Sequence, residues 1–311
     1  MAEALTELVS SGKSSVTLNE LAEPYSKHLC EHLKTASRQA TSNSSKFIQS
    51  CREYNAGKIT YDQLIATTVK LGFNNVIDAF HHVNGGILPV KFYEKDYSGS
   101  FKRIILTDKI YKLHESPFST NLDTETESRW NLVETAWELG ISRNLLNVKY
   151  DNKSQLLVVG DTFSRKDITS ARGALNGYQK GKCFYCYDNY SINSGDDQAL
   201  CDVDHFFPYT LQKYMPDINL NGVWNLVLTC QNCNRGQNDK FARVPAIKYL
   251  ERLHKRNEFL INSHHPLKET IIKQTGVTES NRKRFLQEIY KQAKNLLIFS
   301  WETSERGPAT F

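Results

Sequence analysis

Apolar residues recur at helical spacing in the first third of the chain. The pattern predicts one helix over residues 17–37 and helical structure over 60–83. Thr60 and Asp62 are candidate caps at the start of the second segment, and Gly72 is a candidate break within it. We therefore expect the chain to begin with mainly helical structure.

Two pairs of segments rich in β-formers follow. Residues 88–95 and 101–108 flank a short polar stretch, which predicts a β-hairpin. A helix predicted over 125–139 precedes a second hairpin, formed by 145–150 and 155–159. Helices followed by a hairpin fit a winged-helix-like unit, although other small α+β domains show the same order.

The chain changes character after residue 162. A predicted helix over 167–179 leads into a segment rich in Cys and Asn that ends near residue 244. Three amphipathic helices with basic outer faces are predicted beyond it, over 246–261, 267–276 and 278–301. The predicted organisation is an N-terminal α+β domain over 1–165, a Cys-rich domain over 166–246 and a basic helical segment over 247–311.

Composition narrows the class of protein. The 311 residues are 40% hydrophobic and 23% charged, which is typical of a folded chain and excludes a disordered one. No run approaches the roughly 18 apolar residues of a membrane span, and residues 1–12 contain acids and no apolar block of the signal-peptide kind. We expect a soluble cytoplasmic protein without a membrane partner.

Positive charge is concentrated towards the C-terminus. The net charge is +5, and residues 240–300 contain 13 Lys and Arg against 5 Glu. Such an excess fits a surface that binds a polyanion such as nucleic acid, because cationic side chains near phosphates release condensed counterions. Solvated helix faces give similar counts, so both interpretations stay open.

Four of the seven cysteines form two Cys-x-x-Cys pairs. Cys183 and Cys186 are separated from Cys230 and Cys233 by 43 residues. Each pair can direct two thiolates to one centre, and four thiolates are the tetrahedral set that Zn²⁺ prefers in structural sites. The spacing predicts a structural zinc site, with redox chemistry as the alternative. Cys201, between the pairs, is interpreted as a small buried residue rather than a ligand.

A second group of polar residues lies between and beside the cysteine pairs. On a strand over CDVDHFFP (201–208), Asp204 and His205 present a carboxylate and an imidazole near the strand's end. WNLVLTC (224–230) predicts a second strand, and residues 234–240 predict a helix. The expected local fold is strand, strand, helix around the Asp-His step.

These residues resemble the HNH (His-Me finger, ββα-metal) endonucleases. The resemblance is carried by Asp-His followed by two apolar residues and Pro, by an Asn at the start of the second strand, and by Cys-x-x-Cys-Asn-Arg-Gly. DVDHFFP and NRGQNDKF are similar to the HNH domain of RNA-guided CRISPR nucleases, whereas the two cysteine pairs look more like stand-alone bacterial HNH enzymes. The match covers residues 182–244 and implies a zinc-stapled ββα core there. Together with the helices and hairpins predicted on either side, the expected fold is α+β, with this core between an N-terminal mainly helical domain with hairpins and a C-terminal helical segment.

The resemblance implies a catalytic site with one divalent cation, Mg²⁺ or Mn²⁺. Asp204 and the side-chain oxygen of Asn234 would bind the cation, and His205 would act as the general base. Asn238 or Asp239, about one helical turn beyond Asn234, are alternative ligands.

Three further residues are candidates for roles at this site, Asn225 from the resemblance and two cations from their charge. Asn225 corresponds to the middle letter of the motif, which ties the loop and orients the histidine. Arg235 and Lys240 suit contacts to phosphate, although charges on an exposed helix are commonly only solvated.

The expected function is metal-dependent hydrolysis of phosphodiester bonds in DNA, as the effector nuclease of a bacterial restriction or antiphage defence system. A partner protein such as an ATPase or a targeting subunit is part of that expectation. The alternative is a zinc-ribbon subunit that binds nucleic acid or serves as a scaffold without cutting. Strand nicking and RNA cleavage also stay open.

Overall fold

The computed structural model describes residues 1–40, 44–83, 86–99, 101–116, 119–138, 148–151, 156–159, 166–167, 171–192, 199–237 and 239–311. Helices and small sheets are mixed along the chain, which divides into two compact units, Met1–Thr126 and Glu127–Phe311. The predicted boundary near residue 165 lies outside the described residues. The Cys-rich segment and the C-terminal helices belong to the same unit.

The first unit consists of helices and a small antiparallel sheet. Its helices are α1 (Ala2–Ser10), α2 (Leu18–Thr35), α3 (Lys46–Asn55), α4 (Tyr61–Thr67), α5 (Val76–Ala79) and α6 (Asp108–His114). Its strands are β1 (Ser15–Thr17), β2 (His82–Val83), β3 (Gly86–Ile87), β4 (Tyr93–Asp96) and β5 (Arg103–Leu106). The main sheet has the order β1-β5-β4, and β2 pairs with β3. The winged-helix-like interpretation of this unit stays a prediction.

Local sequence signals explain where two of these helices begin and end. The predicted helix over 17–37 is α2, and it begins with a capping box in which Thr17 and Glu20 each satisfy the other's backbone N–H. Thr60 and Gln63 form the same arrangement at the start of α4. The π-helical turn that continues α4 ends at Gly72, where a Cβ would lie 3.2 Å from Phe47 Cζ.

The second unit contains the candidate site. Helix α7 (Ser119–Glu138) crosses the division between the units, and the later helices are α8 (Ala171–Gln179), α9 (Gln231–Arg235), α10 (Ile247–Asn262), α11 (Lys268–Thr275) and α12 (Glu279–Leu296). The strands are β6 (Val148–Asp151), β7 (Leu156–Val159), β8 (Lys166–Asp167), β9 (Asp202–His205), β10 (Leu226–Thr229), β11 (Val244–Pro245) and β12 (Ser300–Trp301). The strands of both predicted hairpins pair antiparallel, as β4–β5 and β6–β7, while residues 145–147 and the turn over 152–155 lie outside the described residues.

The pair β9–β10 is antiparallel and carries the Asp-His step. Asp204 lies opposite Val227, and His205 opposite Leu226. The outer edge of β10 is covered, because Gln179 at the end of α8 both donates to Leu228 O (2.6 Å) and accepts from Leu228 N (3.0 Å). One amide side chain thus satisfies the backbone groups that an uncovered edge would expose.

The end of the chain differs from the prediction. The pattern over 278–301 predicts one continuous helix, whereas α12 ends at Leu296 and residues 300–301 form β12, parallel to β11. The Trp301 side chain is buried, with its ring 5.0 Å from that of Tyr185. Burial of this large ring against the core favours the strand over further helix.

Several C-terminal cations are structural. The Arg256 side chain is buried and donates to the carbonyls of Val223, Trp224 and Leu226 at 3.1, 3.2 and 2.7 Å. Arg282 forms a bidentate ion pair with Glu258 of α10, and both nitrogen–oxygen distances are 2.6 Å. Part of the basic excess therefore holds the fold together and is not presented to a polyanion. In the described part of the chain, no helix combines the length and apolarity required to cross a membrane.

Replacing Arg256 by Met should lower the free energy of unfolding by about 3 kcal/mol, because the carbonyls of Val223, Trp224 and Leu226 each lose a hydrogen bond from the guanidinium. Denaturant unfolding measures the change. Lys255→Met is the matched control, since that neighbouring side chain is 64% exposed, and it should leave the unfolding free energy unchanged. Equal effects of the two substitutions would contradict the anchoring role of Arg256.

Candidate active site

The four predicted zinc ligands come together in the second unit. The Sγ atoms of Cys183, Cys186, Cys230 and Cys233 all lie within 4.8 Å of one another, and all four residues are buried. The Cys186–Cys230 sulfur distance is 3.7 Å, too long for a disulfide. Tetrahedral zinc with bonds of about 2.3 Å places its sulfurs about 3.8 Å apart. The cluster therefore has the dimensions of a four-thiolate zinc site.

Cys201 is not part of this cluster, in agreement with its interpretation as a small buried residue. Burial raises the pKa of the Cys201 thiol to about 11. The side chain is therefore a neutral thiol near pH 7.

The C-terminal tail covers the cysteine cluster. Arg306 donates through Nη2 to the sulfurs of Cys230 (3.0 Å) and Cys233 (3.3 Å), and its backbone N–H donates to Cys186 O. A Cβ on the next residue, Gly307, would lie 2.1 Å from Tyr187 O, so only glycine fits there. A four-thiolate zinc site carries excess negative charge, which the Arg306 guanidinium offsets.

The Asp204 carboxylate is held from two sides inside the protein. Its Oδ2 accepts a hydrogen bond from Tyr185 (2.8 Å), and its Oδ1 faces the Lys240 ammonium at 3.2 Å. Lys240 also donates to the backbone carbonyl of His205 at 2.6 Å. The two donors fix the carboxylate at the end of β9, beside the imidazole.

The imidazole of His205 is buried and oriented by Asn221. Its Nε2 lies 2.7 Å from Asn221 Oδ1, and the rings of Tyr150 and Tyr209 lie 5.2 and 5.7 Å from the imidazole. Because an amide oxygen only accepts, Nε2 carries the proton and Nδ1 keeps its lone pair in the neutral ring. Burial lowers the pKa of His205 below its ordinary value, so the ring is neutral near pH 7.

Asn225 ties the loop that follows His205. Its Oδ1 accepts from Phe207 N (2.8 Å), and its Nδ2 donates to Phe207 O (3.0 Å) and Leu220 O (2.8 Å). The side chain therefore joins the segment after β9 to the segment before β10. Direct contact with the imidazole is made by Asn221 instead.

Asn234 and Arg235 both contact Asp202, the first residue of β9. Asn234 donates through Nδ2 to Asp202 Oδ2 at 3.1 Å, and Arg235 Nε lies 3.1 Å from the same oxygen. This orientation leaves Asn234 Oδ1 as the atom that a cation can use. The Arg235 side chain is 61% exposed, as a phosphate contact requires.

A single cleft of about 380 Å³ brings together three of the four predicted catalytic residues, Asp204, His205 and Asn234, while the fully buried Asn225 does not line it. Asp204, His205, Asn234 and Arg235 all line it. The remaining lining side chains come from several elements: Tyr150, Arg172, Asp202, Val203, Pro208, Tyr209, Thr210, Phe241 and Ala242. Carboxylate, imidazole, amide and guanidinium groups thus face one solvent-accessible space.

The bounds of helix α9 and the location of the Lys240 side chain differ from the prediction. The helix α9 begins at Gln231 and ends at Arg235, so Asn234 lies near its end, whereas 234–240 was the expected span. The chain then turns back, because Lys240 N donates to Cys233 O (2.8 Å) and the Lys240 side chain reaches Asp204.

Lys240 is 0% exposed, so its place is inside the protein and not on a phosphate-binding surface. Asp239 pairs with Arg243 at 3.6 Å. Asn238 lies outside the described residues.

Sequence reasoning missed Tyr185, Asn221 and Arg306. Tyr185 lies inside the first cysteine pair and Asn221 shortly before the second strand, but nothing in their local pattern distinguishes them from packing or turn residues. Arg306 is 73 residues beyond the last cysteine, so no spacing rule connects it to the cluster. Only the fold brings these side chains to the cysteine cluster and the cleft.

No protein-family model, no curated protein and no solved structure matches this chain.

The purified protein should contain one zinc ion per chain, measured by elemental analysis. Replacing both Cys186 and Cys230 by Ser should abolish the zinc content, because two of the four ligands are lost. The matched control is Cys201→Ala, which removes a buried cysteine outside the cluster and should keep one zinc. Zinc retained by the double variant, or lost from the control, would contradict this assignment.

Proposed function

We propose that this chain is an HNH endonuclease that hydrolyses phosphodiester bonds in nucleic acid, with DNA as its substrate. The observation that carries the proposal is the common cleft of Asp204, His205 and Asn234 at the end of the β9–β10 pair. The loop-tying contacts of Asn225 support it, since they fix the segment that follows the histidine. A protein that only binds nucleic acid has no need of this combination.

The donor set fits a hard divalent cation such as Mg²⁺ or Mn²⁺. Such ions prefer oxygen ligands, and the cleft offers the carboxylate of Asp204 and the Oδ1 of Asn234. A carboxylate has about four lone-pair positions, of which Tyr185 and Lys240 use two. Both residues can therefore bind a cation without losing their present partners. The bound cation would polarise the scissile phosphate and stabilise the leaving oxygen.

Proton transfer in this proposal belongs to His205. Nδ1 of the neutral ring accepts a proton from the attacking water, while Asn221 holds Nε2 and so fixes the direction of the lone pair. The imidazolium formed after the transfer keeps its hydrogen bond to Asn221, and Asp204 lies one residue away to offset its charge. Burial keeps the resting ring neutral and ready to act as a base.

The guanidinium groups in the cleft suit the phosphate. Arg235 is largely exposed, and Arg172 lines the same space. Arg235 pairs with Asp202 at 3.1 Å and can exchange that contact for a phosphate oxygen, since exposed pairs of this kind are weak. We extend the proposal to a role as the cutting component of a bacterial restriction or antiphage system, in which an ATPase or targeting partner selects the substrate.

Incubation with supercoiled plasmid and Mg²⁺ or Mn²⁺ tests the proposal. Wild-type protein should nick or linearise the plasmid, and omission of the divalent ion should stop the reaction. His205→Ala should lower the rate by about 10² or more, since it removes the general base, while the protein stays folded and keeps its zinc.

The matched control is His264→Ala, because His264 is an exposed histidine outside the cleft. It should cut at the wild-type rate. Undiminished cleavage by His205→Ala would contradict the mechanism. Nucleic-acid binding without cleavage under any divalent ion would instead favour the non-cutting zinc-ribbon alternative.

A further inference from the structure

Phe241 occupies an unusual position at the edge of the candidate active site. Its side chain is 76% exposed and lines the cleft that contains His205 and Asn234. Its backbone has φ +34°, in the left-handed region that non-glycine residues rarely adopt. A large apolar ring is therefore held in solvent on a strained backbone.

Core packing does not explain this arrangement. The residue before it, Lys240, is drawn inside by its contacts with Asp204 and the His205 carbonyl, and this reversal places the next side chain outside. Exposure and backbone strain both disfavour phenylalanine at such a position, where glycine or asparagine would be more stable. Strained residues of this kind are concentrated at ligand-binding sites.

The chemistry around Phe241 identifies the class of ligand. Tyr209, 41% exposed, lines the same cleft and places its ring 5.7 Å from the His205 ring. Arg172 and Arg235 add positive charge to that space. Exposed aromatic rings combined with cations form the binding surfaces of unpaired nucleic-acid strands, where bases stack on the rings and cations follow the backbone. In a continuous duplex, the bases are stacked on one another and are not accessible to such a ring.

We propose that Phe241 stacks on an unpaired base next to the scissile phosphate. The preferred substrate is then nucleic acid with unpaired bases at the cleavage point, rather than continuous duplex. This inference rests on the proposed function for the position of the phosphate, while the stacking itself is measurable without cleavage.

The test uses full-length His205→Ala protein, which binds without cutting. Its affinities for a single-stranded oligonucleotide and for the matching duplex are measured by fluorescence anisotropy, with DNA and RNA versions of the strand. The single strand also carries 2-aminopurine, whose fluorescence is quenched when the base stacks on an aromatic ring. Phe241→Gly in this background should weaken single-strand binding about tenfold and abolish the quenching, while duplex binding is unchanged.

Three comparisons separate stacking from a structural effect. Phe241→Gly should keep the thermal midpoint within about 2 °C of the parent, because the ring packs on little and glycine tolerates the backbone angle. Phe241→Tyr should retain the quenching, since it keeps a ring. Phe299→Ala removes another exposed ring, 82% exposed and outside the cleft, and should behave as the parent.

The inference would be overturned if Phe241→Gly left single-strand affinity and quenching unchanged. It would also be overturned if the substitution weakened the affinities for the single strand and the duplex equally. Wild-type cleavage of plasmid together with either result would leave the proposed function intact. If Phe241→Gly abolishes the quenching but the wild-type protein cleaves no substrate, the inference is supported and the nuclease is rejected.

Discussion

The second unit depends on the contact between two cysteine pairs that are far apart in sequence. Strands β9 and β10 have only four residues each, and an isolated pair of such strands is marginally stable in water. Cys230 follows β10 directly, and Cys183 follows α8 closely, so bringing their sulfurs together fixes β10 against α8. Metal–thiolate bonds would supply stability that so small a sheet cannot generate by packing. The hydrogen bonds from Gln179 and Arg256 then satisfy backbone groups on and around β10.

The buried pair of Lys240 and Asp204 is a second constraint, and its physical cost points to a role in the site. Removing both charges from water is expensive, and the attraction between them at 3.2 Å offsets only part of that cost. Burial lowers the pKa of Lys240, while Asp204 opposes the shift. The pair links the strand that carries the carboxylate to the segment after α9. It thereby positions Asp204, places Arg235 beside the cleft and turns Phe241 towards solvent.

Sequence periodicity predicted the elements that local signals determine. The capping residue Thr60, the two hairpins and the cysteine pairs can all be identified from short windows, because each depends on nearby residues. The sequence did not reveal that Lys240 is buried or that the chain forms a strand at Trp301. Both outcomes depend on partners far along the chain, Asp204 in the first case and the ring of Tyr185 in the second. Tertiary contacts of this kind leave no periodic signal.

The cleft contains charged groups of both signs, which a bound cation and a bound phosphate would complement. Asp202 and Asp204 supply carboxylates, while Arg172 and Arg235 supply guanidinium groups to the same space. In the protein alone, Arg235 and Asp202 satisfy each other. A divalent cation near the carboxylates and a phosphate near the guanidinium groups would each meet complementary charge, so that the two ligands favour one another. Separate binding surfaces for metal and for nucleic acid would lack this coupling. A site that cleaves a phosphodiester bond requires it, whereas a site that only binds nucleic acid does not.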